Sequence, residues 1–338
     1  MQASTCKPHH LQLHNFIHCF VEHPNLTRVL ESWERLFKRQ PLGGEQSCML
    51  LTGDAGTGKS YLINQFVMRH PSYQEGDVLI RPVIKCRIPS RPNVESMMVQ
   101  MLSDLGQFGA ESRKGQLREV GLTETLNKIL KKCQTRIIII NEFQELIEFK
   151  SIEDRQRVAN RLKMINEEAG IPIVLVGMPW AAEITEEPQW ASRLMSRIEL
   201  PYFKISSCRE EYIRFLKGLS LKMGFDTPPN LAMKEISIPL FAACSGQVRI
   251  LKKILNVALE IALEESAQTI DKQHLAMAVD IELSGQDENP FKIPLSKIKI
   301  SEVSRYARYN PNAVSREEAL IKTQFADALS LAQILRKN

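Results

Sequence analysis

No stretch of this 338-residue chain approaches the ~20 consecutive apolar residues that a membrane helix needs. The first residues, Met1 to Leu13, are polar and His-bearing and contain no apolar signal core. The expectation is a soluble, cytoplasmic protein with no membrane partner. The seven cysteines are odd in number, widely scattered and without a C-x-x-C pair, which excludes a disulfide framework and a zinc site of ordinary spacing. Internal repeats and low-complexity tracts are absent too. With 16 Gly, 17 Pro, 43% apolar and 25% charged residues, collagen-like, disordered and coiled-coil readings fall away. Charge of one sign is not extreme: 44 Lys and Arg against 39 Asp and Glu give +5, which allows nucleic acid without demanding it.

What is present is an alternation of short apolar runs with longer amphipathic segments, the habit of a parallel sheet with crossover helices. Strands are expected at Cys48 to Thr52, Val78 to Ile88, Arg136 to Ile140, Ile171 to Val176 and Arg197 to Leu200. Helices are expected between them, at Tyr61 to Arg69, Val94 to Leu105, Thr123 to Lys132 and Asp154 to Ala169. Upstream, Leu11 to Gln40 has helical periodicity broken at His23-Pro24. Trp33, Phe37 and the methionines Met97, Met98 and Met101 are expected in the core. From Arg209 to Leu283 the pattern is that of a helical bundle, clearest at Glu210 to Leu221 and Val248 to Glu265, with Asp271 as an N-cap. Past Gly285 the chain turns polar and basic, either a mobile arm or a docking segment. The predicted domains are an N-terminal helical extension (1–44), an α/β core (45–205), a helical lid (206–284) and a C-terminal tail (285–338).

The chemistry is concentrated in Gly53-Asp54-Ala55-Gly56-Thr57-Gly58-Lys59-Ser60, which fits G-x-x-x-x-G-K-S, follows an apolar run and opens the helix at Tyr61. Its glycines let backbone N–H groups close around phosphates, Lys59 brings a point charge to them, and the Ser60 hydroxyl is a ligand for Mg²⁺. ATP and Mg²⁺ are therefore the expected cofactors. A second element, Arg136 to Glu142, is an apolar strand emerging in Asn141-Glu142 beside that loop. Glu142 is the candidate water-activating base, or else merely ends a strand. Asn141 stands where Asp is usual, and an amide there keeps one acceptor oxygen but loses the charge that helps hold the metal. Weak Mg²⁺ binding or slow hydrolysis is expected.

No base-reading N-K-x-D segment is present, which argues against a GTPase. Two arginine features point instead to the AAA+ class, in which ATP sits between subunits. Arg193 and Arg197 precede or open the last core strand, where an arginine finger reaches a neighbour's γ-phosphate; the bland alternative is structural ion pairing. Arg249 lies in the first turn of a lid helix, after Ser245-Gly246, in the position called sensor 2. It is otherwise a solvated arginine. Gly177-Met178 lacks the polar side chain often found at the sensor 1 position. The predicted fold is α/β: a P-loop AAA+ core with a parallel five-stranded sheet, an N-terminal helical extension and a C-terminal helical lid.

Several runs together carry a more specific likeness: Phe20 to Pro24, Asn141 to Leu146, Arg155-Gln156-Arg157 through Asn160 to Lys163, Ile171 to Val174 with Gly177-Met178-Pro179, and Ser192-Arg193-Leu194 before Glu199-Leu200-Pro201. Over Leu13 to Leu283 the chain resembles the TniB/TnsC transposition-regulator ATPases, which serve transposons including CRISPR-associated ones. It departs from them in Asn141 for Asp and in Leu194, where Phe often follows the arginine. The resemblance implies ATP-bound subunits that form rings or helical filaments on double-stranded DNA, link a target-selector protein such as a TniQ-like one to the transposase, and disassemble on hydrolysis. It also implies that His23 and Pro24 lie beside the adenine, although a plain helix break reads equally well. Such assembly needs basic groups that contact phosphates without reading bases. Arg113, Lys114 and Arg118 are the candidates, with Arg155, Arg157, Arg161 and Lys163 as a competing stripe. Two rival readings are a signalling ATPase of the STAND type that oligomerises without DNA, and an initiator or helicase loader, against which the lack of a recognisable winged-helix module argues.

Overall fold

Runs of β-branched and other apolar residues that are buried on both faces can only be strands of a sheet covered on two sides. Three such runs and two partly exposed outer strands form one parallel sheet: β1 (Cys48–Gly53), β2 (Val83–Arg87), β3 (Ile137–Asn141), β4 (Ile173–Gly177) and β5 (Leu194–Leu200), in the order β2-β3-β4-β1-β5, with β2 and β5 at the edges. The computed structural model describes residues 8–88, 93–106, 119–148, 151–186, 188–283, 288–330 and 332–333. Because side chains alternate along a strand, each run splits between two cores. Leu50, Ile138, Ile140 and Leu175 pack with α4 (Val94–Asp104), α5 (Glu119–Lys132) and α6 (Ile152–Ala169). Met49, Leu51, Ile139 and Val176 pack on the other side with α2 (Pro24–Arg39) and α3 (Lys59–Arg69). Trp33 and Phe37 are buried in the second core, and Met97, Met98 and Met101 in the first, as expected.

The expected strand Val78 to Ile88 is interrupted. Its first part, Val78–Ile80, pairs back onto Tyr73–Glu75 as a small hairpin, and only Val83–Arg87 joins the sheet. The break falls at Arg81-Pro82, and proline has no N–H to offer a ladder. The last strand starts earlier than the sequence suggests, at Leu194, because Cys48 to Gly53 supplies a partner along that whole length.

The helical bundle comprises α7 (Ile205–Lys222), α8 (Lys234–Cys244), α9 (Val248–Glu264) and α10 (Lys272–Glu282). Asp271 caps α10, accepting from the N–H groups of Gln273 and His274. Helix α8 is legible only in the structure: Pro239 lies inside it, yet Ile238, Leu240, Phe241 and Cys244 are buried among the other helices. The bundle also claims α1 (Pro8–Ile17), whose Phe16 is fully buried in it. The two N-terminal helices therefore belong to different bodies, α1 to the lid and α2 to the sheet. The chain crosses between them at His23-Pro24, where Pro24 occupies the first turn of α2. For the segment past Gly285, expected as a mobile arm or a docking segment, the structure shows short paired strands between Lys299 and Ser330 laid against the chain's own core and lid. Among the described residues no helix is long and apolar enough to cross a membrane.

Core and lid meet closely at Gly246. Phe203 N–H donates to the Gly246 carbonyl at 3.0 Å, φ of Gly246 is +77°, and a Cβ there would stand 2.1 Å from the Phe203 carbonyl oxygen. Gly43 also has positive φ, +75°, but nothing lies within 4 Å of the place a Cβ would take. Gly246→Ala is expected to destabilise the protein by about 3 kcal/mol and Gly43→Ala by about 1 kcal/mol, read from urea unfolding. Equal losses would mean that core and lid can separate freely at this point.

Candidate nucleotide site

The loop between β1 and α3 is a turn built to leave amides free. Gly58, at φ +99°, precedes α3 without any side-chain cap, so the first N–H groups of that helix face outward unpaired by side chains. Gly56, at φ +83°, lies so near the lid that a Cβ would meet Arg249 Cβ at 2.7 Å. Arg249 N–H donates to the Gly56 carbonyl at 3.2 Å, so the second residue of α9 is fastened to the loop. Lys59 Nζ donates to the carbonyls of Gly53 at 2.6 Å and Asp54 at 2.9 Å. Burial lowers the pKa of Lys59 to about 8; Glu142 and Asp54 pull it upward, and Arg249 pushes it further down.

Glu142 follows β3 in a left-handed conformation, φ 57° and ψ 39°, which turns its side chain out of the strand's alternation and into the cavity beside the loop. Its Oε2 accepts from Gln144 Nε2 at 2.8 Å, while Gln144 Oε1 accepts from Met178 N–H at 3.1 Å. Buried Gln144 thus ties the carboxylate to the end of β4. The sequence reading passed over it. The available signal was an amide side chain two residues after Glu142, in the 3₁₀ turn Phe143–Leu146.

These groups line one end of a cavity of about 370 Å³. The rest of the lining carries apolar side chains, Phe20, Leu26, Phe215 and Leu219, drawn from the α1–α2 break, from α2 and from the lid, with Lys252 and Lys253 of α9 beside them. Two polar atoms there, His23 Nδ1 and Asn256 Oδ1, are buried without a hydrogen-bond partner, the condition that the polar edge of a heterocycle would relieve. Burial holds the His23 pKa down at about 4, so its ring is neutral at ordinary pH. The cavity, cationic and amide-rich at the loop and lined elsewhere by apolar side chains with stranded polar atoms, fits a nucleoside triphosphate. For magnesium, Ser60 and Glu142 line the cavity and offer the hydroxyl and carboxylate chemistry that ion takes beside substrate phosphates. Among the described residues no group of three or more His, Cys, Asp or Glu is placed to hold a metal by itself, so phosphates and water would complete the shell.

The remaining sequence candidates are distributed differently. Ala55, Gly56, Thr57, Gly58, Ser60, Tyr61 and His23 line the cavity with Lys59; Gly53, Asp54 and Pro24 do not. The carbonyls of Gly53 and Asp54 hold Lys59, and Pro24 faces α2, whose first turn it forms. Asn141 is buried at the end of β3 outside the cavity, its carbonyl accepting from Ile88 N–H. Arg193 is ion-paired within its own chain, to Glu167 and, at 3.8 Å, to Glu45. Arg197 stands exposed on the edge strand β5. In the competing basic stripe, Arg155 pairs with Glu183 at 3.5 Å and Arg161 donates to Thr123 at 3.1 Å. Arg113, Lys114 and Arg118 lie outside the described residues.

The model of a family described as "Bacterial TniB protein" matches residues 16–205, more than half of the chain. The chain belongs to the TniB family. This TniB-family chain is similar in fold to the Aeropyrum pernix ORC2 protein, solved as ADPNP-ADP complexes, with a TM-score of 0.57, 17% identity, and 83% of this chain and 75% of that one covered. It is similar to the Aeropyrum pernix ORC1 protein in complex with DNA at a TM-score of 0.55, 18% identity and coverage of 78% and 68%. For Cdc6p from Pyrobaculum aerophilum the values are 0.51, 14%, 83% and 74%. No curated protein matches the sequence. The fold is that of the AAA+ P-loop proteins, and with its family the chain is an AAA+ ATPase.

The lowered pKa of Lys59 has a measurable consequence. Above pH 8 the free amine is mostly neutral, whereas a bound triphosphate favours the charged form, so binding must take up a proton. The Kd for ATP is expected to rise about tenfold from pH 7 to pH 9, with proton uptake detected calorimetrically in buffers of different ionisation heat. Lys59→Arg, charged throughout, should flatten that dependence. A wild-type profile already flat would remove Lys59 from the phosphate contact.

Proposed function

We propose that this TniB-family ATPase is an ATP-dependent regulator of DNA transposition, whose subunits assemble on duplex DNA with ATP between them and separate after slow hydrolysis. The reading is carried by one asymmetry. Each chain has its own phosphate loop, Glu142 and Arg249 around one cavity, while Arg197 is presented outward on an edge strand, away from that cavity. An arginine so placed serves a neighbour's nucleotide, and Arg193, engaged with Glu167 and Glu45, braces the strand that presents it.

In this mechanism Lys59 leaves the Gly53 and Asp54 carbonyls to meet the terminal phosphates, and Arg249 adds a second positive charge from the lid. Glu142, oriented by Gln144, accepts a proton from the attacking water. Ser60 and Glu142 would hold a magnesium ion, which when bound would supply positive charge to offset that of the phosphates. Slow turnover belongs to this reading because Asn141, next to Glu142, brings no charge to the end of β3. Family membership, the net charge of +5 and a fold shared with a protein solved in complex with DNA support duplex DNA as the assembly surface. A target selector of the TniQ type and the transposase are the proposed protein partners. The likeness to the ORC and Cdc6 structures favours an initiator or helicase loader as the second reading, in which DNA loads another ATPase rather than an integration complex.

Sedimentation with ATP is expected to show assembly promoted by duplex DNA. Lys59→Ala should abolish it, and Glu142→Gln should trap it while stopping hydrolysis. Arg197→Ala should lower hydrolysis in the assembly by about tenfold or more without weakening ATP binding to the single subunit, whereas Arg193→Ala should mainly lower thermal stability. Assembly indifferent to DNA would sink the transposition reading in favour of signalling.

A further inference from the structure

The second residue of the phosphate loop is an aspartate, and in this position a negative charge would repel a triphosphate if it pointed inward. Asp54 points the other way. Its side chain is buried, 2% exposed, and Oδ1 accepts from Ala55 N–H at 2.7 Å. Oδ2 accepts from the Thr323 hydroxyl and from Ala307 N–H at 3.3 Å. Both of those donors lie some 250 residues further along the chain, in the C-terminal segment.

That segment is a long irregular hairpin. Lys299–Ile300 pairs with Leu329–Ser330, Val303–Arg305 with Gln324–Phe325, and Arg308–Tyr309 with Leu320–Ile321, all antiparallel. It is anchored at three further points around the loop. Tyr202, between β5 and α7, donates its N–H to Tyr306 Oη at 3.0 Å and its own hydroxyl to the Ala55 carbonyl at 2.8 Å. The Tyr202 ring stacks on Phe325, 6.4 Å between centroids and 7° between planes. Glu302 accepts from the N–H of Ser206 at 2.8 Å and from its hydroxyl at 2.5 Å, in the first turn of α7.

We propose that the C-terminal hairpin positions the phosphate loop, with Thr323 and Tyr306 as positioning residues that act through Asp54 and Tyr202. The inference rests on the loop being the ATP site. Its physical basis is the buried carboxylate. A charge at this depth must keep its donors, so the backbone of Asp54 and Ala55, which sets the curvature of the whole loop, stays where the hairpin holds it. The Asp54 carbonyl is also one of the two acceptors for Lys59, so the same residue joins the hairpin to the cation that must move on binding. The hairpin thereby lowers the disorder the loop would otherwise lose on binding nucleotide.

The test uses the full chain with Thr323→Val, Thr323→Ser and Tyr306→Phe, and two readouts. The first is amide exchange of residues 54–60 without nucleotide, expected to quicken about tenfold in Thr323→Val and in Tyr306→Phe and to return towards the wild-type rate in Thr323→Ser. The second is the ATP Kd under conditions where every variant is folded, expected to rise about tenfold in Thr323→Val, with a smaller change in turnover at saturating ATP. Unchanged loop exchange in Thr323→Val, or a Thr323→Ser variant as impaired as Thr323→Val, overturns the proposal. If wild-type protein bound no ATP, the function proposed above would fall, and the exchange measurement would still decide whether the hairpin holds the loop.

Discussion

A phosphate loop works only if its backbone amides and its lysine stay unsatisfied enough to welcome an anion, which is a costly state for groups that are partly buried. The architecture supplies that state from outside the loop. Lys59 is held in reserve on two main-chain carbonyls rather than on a carboxylate, and burial weakens its hold on its proton. Arg249 fastens the lid to Gly56 by a backbone hydrogen bond, which leaves its guanidinium free of that task. Glu142 is held by the neutral amide of Gln144.

The N-terminal helices and the C-terminal hairpin meet around this loop. The N-terminal helices straddle the gap between sheet and lid, so the His23-Pro24 break becomes one wall of the cavity. The C-terminal hairpin approaches from the side of β5 and holds Asp54, Tyr202 and Ser206 together. Lid movement relative to the sheet must therefore strain two covalent crossings, the α1–α2 break and the Pro201–Lys204 link, together with the hydrogen-bonded contact of Gly246 with Phe203.

Much of the sheet was legible because β-branched runs such as Ile137 to Ile140 admit no other buried arrangement, and the loop was legible because its chemistry demands particular residues at particular spacing. Boundaries were less so. Pro82 split a run that looks continuous, and α8 hides a proline that bundle packing tolerates. Nothing local singles out Gln144, whose value lies in reaching Met178 across 34 positions of sequence, and the motif alone reads Asp54 as a nucleotide contact because its partners are 253 and 269 positions away.

By itself the sequence determined an α/β P-loop core, most of its strands and the identity of the phosphate loop, since local periodicity and a contiguous motif are properties of neighbouring residues. Which arginine is tied down and which is exposed, where α1 belongs, and where the polar tail lies were decided only by tertiary structure. Those outcomes depend on burial and on hydrogen-bond partners drawn from remote parts of the chain, and no local pattern encodes a partner's distance in space.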